Sequence, residues 1–468
     1  MPSMNTAHPQ PMPSATSTPA AAPKGRQPLM ALDDALARLL ASITPLPATP
    51  GGTQSVPTFE ADGRVLAQVL VSALHVPPQD NSSMDGYAVR CADLLTASAG
   101  NPVTLPVAQR IAAGHAGQPL QPGTVARIFT GAPMPEGADA VVMQEDVRTA
   151  EADGTGGQGA ATGMPQATFT ACPESGSWVR RAGEDVSRGA EVLSPGARLG
   201  PAALGLAASL GLDRLTVSRK PKVALFSTGD ELVMPGTVPP EQMPPGAIYN
   251  SNRFFLRALL VRMGCEVSDL GIVPDNRPAT LQALADAARH HDLILTSGGV
   301  SGGEEDHLKP AVQQLGSLDL WQIAMKPGKP FAHGWLRRTS NGIGRADGGP
   351  VDPTQAAHFI GLPGNPVSSF MTFVLLVRPF LLRLQGVADV SVPTHTLPAH
   401  FNLPRADKRR EFLRVRRNAA GGLELFANQS SGVLTSAVWG DGVVDHPAGR
   451  TIAHGDVVRY VSFADLLS

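Results

Sequence analysis

Apolar side chains at Leu29, Leu32, Leu36, Leu39, Leu40 and Ile43 recur at the spacing of one helical face, and Pro45 stops the run. The pattern predicts a helix opening the ordered part of the chain near residue 28. From about residue 65 to 147 the period shortens. Segments such as Tyr87-Ala-Val, Val125-Ala-Arg-Ile-Phe and Ala140-Val-Val-Met are broken by glycine and proline, which predicts a small β-domain. Residues 151–177 are weakly apolar and turn-rich and read as a long flexible loop. An alanine-rich helix is predicted at about 201–210.

From Lys220 onward strands and helices alternate. Val223-Ala-Leu-Phe reads as a strand, 252–263 as a helix, 266–272 as a second strand, 279–290 as a helix and 292–296 as a third strand. A further strand, His358-Phe-Ile-Gly-Leu, precedes a helix at 370–384, and 338–356 reads as a surface insertion. This alternation predicts a parallel sheet with crossover helices, a fold that binds ligands at the carboxyl ends of its strands. Short apolar segments over 391–468 predict a second small β-barrel.

Composition narrows the class. A chain of 468 residues is too long for one core, and about three or four domains are expected. The net charge of −2 argues against general nucleic-acid binding and gives no polybasic membrane signature. With aromatics at 5%, base-stacking platforms are not expected either. No apolar run reaches the roughly 20 residues that span a bilayer. Residues 1–27, rich in Pro, Ala, Ser and Thr, read as a disordered tail rather than a signal peptide. Cys91, Cys172 and Cys265 form no CxxC, so no disulfide framework or zinc knuckle is expected, and a reducing cytoplasm is the simplest home.

Candidate chemistry gathers at the strand ends. Ser297-Gly298-Gly299-Val300-Ser301-Gly302-Gly303 is followed by Glu304, Glu305 and Asp306, then by His307 and Lys309 where a helix begins. Glycines let backbone N–H groups approach phosphate oxygens, and acids beside an anion site call for a divalent cation. The loop fits neither GxGxxG nor the P-loop pattern, and alone it would pass for a turn. Ser227-Thr228-Gly229-Asp230-Glu231 ends the first strand, and its acids could equally be capping or solvated groups. Lys326-Pro327-Gly328-Lys329-Pro330 presents two lysines on a stiffened turn, which suits an oxyanion, although most surface lysines are merely solvated. Asp80 to Ala88, Arg127 to Asp139, Arg180 to Val186, Arg409-Arg410-Glu411 and Gln429 to Gly432 are individually weak signals.

Taken together, these runs resemble one family: the molybdopterin molybdenumtransferases, or MoeA/gephyrin E-domain proteins. The shared marks are PPQDNSSMDGYAV, RIFTGAPMPEGADAVVMQED, RRAGEDV, LFSTGDEL, YNSNR, SGGVSGGEEDHLK, KPGKPFAHG and GLPGNPVSS, in the family's order over roughly 28–460. The resemblance implies a multidomain α/β and β fold. A hinge domain spans 28–75 and 176–215 and a β-domain is inserted at 76–175. A molybdopterin-binding parallel α/β domain follows at 216–390, then a C-terminal β-barrel at 391–468.

It further implies a cytoplasmic homodimer whose cleft forms between subunits. The reaction would take adenylylated molybdopterin and molybdate, with Mg²⁺, and yield molybdenum cofactor and AMP. A separate molybdopterin adenylyltransferase would supply the substrate. By similarity, Asp85, Thr130, Glu184, Asp185, Asp230, Asp306, Lys309, Lys326 and Lys329 are the catalytic candidates. Ser227, Thr228, Gly229, Asn250, Ser297, Gly298, Gly299, Ser301, Pro327, Pro330, Arg409 and Ser431 would bind substrate, and Asp230 and Asp306 the metal. Departures are His307 where Tyr is frequent and Ser83 where Ala is common. A scaffold role without catalysis, and tungstate in place of molybdate, remain open at this point.

Overall fold

The computed structural model describes residues 29–150, 164–299, 307–338 and 356–467. The tail at 1–27, residues 339–355 of the insertion expected at 338–356, and the part of the glycine-rich loop that holds Ser301 and Asp306 lie outside the described residues.

The central sheet has six strands in the order Glu266–Val273, Lys222–Thr228, Leu293–Ser297, Ala356–Leu362, Pro330–Arg337 and Gly316–Gln322. The first four run parallel, with Ser251–Arg262 and Arg277–His290 as crossover helices. Val223, Leu225, Leu293, Leu295, Ile360 and Leu362 pack into one layer, and Ala224, Phe226, Ile294 and Phe359 into the other. That alternation is what a strand buried on both faces requires. The last two strands are antiparallel, so the sheet is mixed rather than wholly parallel. The link 323–329 is too short for a parallel crossover.

Helix Pro366–Thr372 continues through a π-helical turn, Phe373–Val377, into Arg378–Leu384. It begins earlier than the apolar run because proline suits the first helical turn. By length and composition Pro366–Leu384 could cross a membrane, contrary to the expectation that no such run exists. However, 83% of its apolar window is buried inside the fold, which makes it a core helix. Leu32–Ala41 buries Leu32, Ala35 and Leu39 against the same core.

In the segments expected to form the hinge, Thr53–Pro57 pairs with Arg214–Ser218 over a small core of Leu66, Leu199, Ala207, Leu215 and Val217. The inserted sheet runs Ala140–Met143, Gly86–Val89, Val125–Ile128, Val103–Ile111, Gln166–Phe169 and Val147–Ala150. Gln166–Phe169 corrects the expectation of a loop throughout 151–177. Ala167 and Phe169 alternate into the core, and the strand pairs with Val103 to Pro106. Close by, the Cys172 thiol lies 3.5 Å from the Cys91 carbonyl oxygen, so two cysteines distant in sequence meet, although all three thiols are free. Cys265 is buried in the α/β core.

In the C-terminal domain His395–Pro398, Val457–Ser462, Gly442–His446, Arg410–Arg417 and Leu423–Leu425 pair in succession. A bridge from Leu423 to Ala399, the residue after the first strand, closes the ring into a barrel. Met325–Lys326 pairs in parallel with Arg410 and Glu411, so main-chain hydrogen bonds join barrel and α/β domain.

Candidate active site

The parallel strands end side by side, with Ser227 in register with Ser297 and Ser297 with Leu362. A cleft of about 590 Å³ opens at these ends. Ser227, Thr228, Glu231, Tyr249, Asn250, Asn252, Ser297, Gly298, Gly364 and Asn365 line it, joined by Gly432 from the barrel. The volume suits a small-molecule ligand. Gly298 and Gly299 have φ of +96° and +65°, where a side chain would be strained. A Cβ on Gly298 would also sit 3.2 Å from the Thr228 carbonyl oxygen. Glycine is what lets the chain turn this tightly over the strand ends.

Asn252 holds the cleft floor together. Its side-chain amide donates to Ser297 Oγ at 2.8 Å and to the Gly364 carbonyl at 2.7 Å. Asn250 caps the same helix by accepting from the Arg253 N–H at 3.2 Å. Among the described residues Ser227 Oγ and Asn250 Nδ2 are buried without a hydrogen-bond partner, as befits a lining that hydrogen-bonds a polar ligand. Asn252 was absent from the residues singled out by sequence, since nothing in the run Tyr249-Asn-Ser-Asn-Arg distinguishes it from its neighbours. Of the two acids that end the first strand, Glu231 lines the cleft and Asp230 does not, although both are exposed.

The lysine turn sits on the helix that starts at the cleft. Gly328 has φ +111°, and a Cβ there would lie 2.6 Å from Thr372 Oγ1. Pro327 is buried, while Lys329 and Pro330 are half-buried. Lys326 Nζ lies 2.8 Å from Glu411 and 3.2 Å from Asp407. The hydrogen bond to Glu411, helped by Asp407, raises the Lys326 pKa against partial burial. Arg409 donates to Asp407 from Nε at 3.1 Å and Nη2 at 3.2 Å, which holds the Asp407 carboxyl far below the usual carboxylate range. The Ser431 carbonyl accepts from the Val367 N–H at 2.9 Å, seating the barrel loop on the first turn of the cleft helix. Lys309 lies in the first turn of helix Leu308–Leu315.

The remaining candidates belong to the inserted sheet and its junction with the hinge. Asp85 Oδ1 accepts from Thr130 N at 2.8 Å and from Thr130 Oγ1 at 2.7 Å. The Thr130 backbone N–H, then its hydroxyl, lower the Asp85 pKa. Glu184 accepts from Arg181 N at 3.0 Å, and the Asp185 N–H donates to the Val76 carbonyl. Among the described residues, no hydrogen bond of these four reaches the cleft lining.

Among the described residues no three metal-ligating side chains gather. Asp230 and Glu231 are nevertheless adjacent oxygen donors at a strand's carboxyl end. Mg²⁺ is commonly held by one or two carboxylates together with substrate phosphates, so this donor chemistry fits it.

Three family models match in order. The MoeA N-terminal region (domain I and II) covers residues 30–211, a probable molybdopterin binding domain 224–383, and the MoeA C-terminal region (domain IV) 396–463. A molybdopterin molybdenumtransferase of Haemophilus influenzae is 41% identical over 388 residues, covering 82% of this chain and 85% of that one. The chain belongs to the MoeA family. Other relatives of this MoeA chain include a molybdopterin molybdenumtransferase 2 of Mycobacterium tuberculosis, 38% identical over 86% of this chain and 85% of that one. A crystal structure of the MoeA protein of Pyrococcus horikoshii matches at 26% identity and a TM-score of 0.75, covering 93% of this chain and all of that one. Membership places the MoeA chain among the transferases of molybdenum cofactor biosynthesis.

Proposed function

We propose that this chain inserts molybdate into adenylylated molybdopterin, with Mg²⁺, releasing AMP and yielding molybdenum cofactor. The observation that carries the reading is the cleft at the strand ends, where Ser227 Oγ and Asn250 Nδ2 lack partners among the described residues beside the glycine turn at Gly298. Hydroxyls, an amide and backbone N–H groups suit a pterin nucleotide with its phosphates. Ser227, Thr228, Gly229, Asn250, Ser297, Gly298, Gly299 and Ser301 hold it, and Pro327, Pro330 and Ser431, outside the cleft lining, are assigned to the remainder of the substrate.

Lys309, Lys326, Lys329 and Arg409 bind oxyanion or phosphate oxygens and offset the negative charge that develops during transfer. Asp230 and Asp306, together with Glu231, are the carboxylates for Mg²⁺, which would supply Lewis-acid stabilisation of the phosphate oxygens. Asp85 and Thr130, with Glu184 and Asp185, complete the site from a second copy of the chain. Their hydrogen bonds, which stay within the inserted sheet and hinge, leave them able to face a partner's cleft. The protein works in the cytoplasm as a homodimer, supplied by a separate adenylyltransferase.

The test is AMP release from adenylylated molybdopterin with Mg²⁺, with and without micromolar molybdate. Release that requires molybdate, with cofactor formed, supports the assignment. Tight substrate binding without release would overturn it in favour of a binding role.

A further inference from the structure

Lys326 and Arg409 come from different domains yet share one carboxylate. Asp407 lies 3.2 Å from Lys326 Nζ, and it accepts from Arg409 Nε at 3.1 Å, Nη2 at 3.2 Å and the Arg409 backbone N–H at 3.0 Å. Lys326 has a second acid, Glu411, at 2.8 Å. The two acids differ in placement. Glu411 is paired in register with Lys326 across the strand that joins the domains, and its side chain is 6% exposed. The Asp407 side chain is 22% exposed and precedes the barrel strand Arg410–Arg417. Two cations thus face two acids within the chain, and an incoming anion competes with those acids for the same charges. Asp407 is the acid that solvent, and therefore a ligand, can reach.

We propose that Asp407 is a charge placeholder that makes the Lys326–Arg409 pair selective for doubly charged oxyanions. The proposal rests on reading these cations as substrate-holding. A singly charged anion that replaces the carboxylate swaps one unit charge for another at a similar distance and gains little. A dianion brings twice the charge to the same two cations. Glu411 meanwhile keeps Lys326 in place while Asp407 yields. Molybdate and a phosphate group share the required chemistry. Asp407 is on this account a specificity-determining residue, and it takes no part in bond making.

The test uses the full chain and Asp407→Asn, which keeps the shape and an acceptor oxygen but removes the charge. Calorimetry would measure sodium molybdate and orthophosphate near pH 8, with sodium nitrate as the singly charged probe. The expected result is that Asp407→Asn binds nitrate more tightly and that its preference for molybdate over nitrate shrinks by about threefold or more. Asp407→Glu should restore the preference. In a Lys326→Ala background, Asp407→Asn should no longer change it. An unchanged preference in Asp407→Asn, or equal weakening toward all three anions, overturns the proposal.

Turnover separates the two sources of the dianion. Molybdate is varied at saturating adenylylated pterin, then the pterin at saturating molybdate, and the KM that falls in Asp407→Asn identifies the group that displaces Asp407. If the wild-type chain releases no AMP, the transferase reading fails while the calorimetry still decides the role of Asp407. If it turns over normally and the preference is unchanged, only the Asp407 proposal fails.

Discussion

The Asn252 amide donates to Ser297 Oγ at 2.8 Å, while its second hydrogen goes to the Gly364 carbonyl at 2.7 Å. One buried side chain thus fastens a helix to the ends of two neighbouring strands. Both acceptors lie in the cleft lining. Asn252→Ala should leave them without this donor and cost about 1–3 kcal/mol of stability. The KM for the pterin substrate should rise by about tenfold or more, because small misplacements of a binding loop are costly. A thermal melt and steady-state kinetics check both effects; an unchanged KM would show that the loops hold their places without Asn252.

Thr130 grips Asp85 through both its N–H and its hydroxyl. Because these bonds lower the Asp85 pKa, the carboxylate stays ionised at every pH above the ordinary Asp value of about 3.9. Its contribution is present above that range and is lost as pH falls through the depressed value. Asp85→Asn should reduce molybdate-dependent AMP release by about a hundredfold and Thr130→Val by about tenfold. Thr130→Val should also move the acid limb of the pH–rate profile upward, and an unmoved limb would separate Asp85 from the chemistry.

Gly328 offers a steric test. An alanine there meets Thr372 Oγ1 at 2.6 Å on a backbone with φ +111°. Gly328→Ala should cost about 1–3 kcal/mol and displace the lysine turn, with turnover falling further than stability alone explains. Gly114, at φ +80° with nothing within 4 Å of a Cβ, supplies the control for backbone strain alone. Equal losses in the two variants would mean that contact with Thr372 is not what positions the turn.

Burial brings the His333 imidazole down to about 4, and burial, then the neighbouring His333 and Arg338, hold His358 well below its ordinary value. The unfolded chain takes up protons near pH 6.5, which the fold refuses until much lower pH. Stability is therefore full above pH 6.5 and falls as pH drops toward 4, by up to about 3 kcal/mol for His333. His333→Gln should flatten the melting temperature across that window. A slope as steep as the wild type's would assign the acid loss to other groups.

Much of this architecture follows from local patterns. The helical stripe from Leu32 to Leu39, the strand Lys222–Thr228 and the closing barrel all rest on periodicity that neighbouring residues enforce on their own. The glycine and lysine turns were equally legible, because few residue types tolerate such backbone. Gln166–Phe169 was not legible, since its two inward side chains gain meaning only when Val103–Ile111 lies beside them.

By itself the sequence determined the family and the order of its matched regions, each a property carried by short contiguous runs. Only the tertiary structure decided that Glu231 lines the cleft and Asp230 does not, that Asn252 ties its floor, and that Lys326 and Arg409 share Asp407. Asn252 is 45 positions from Ser297, and Lys326 lies in a different domain from Asp407. Hydrogen bonds and ion pairs depend on distances of a few ångströms that only the packed fold establishes.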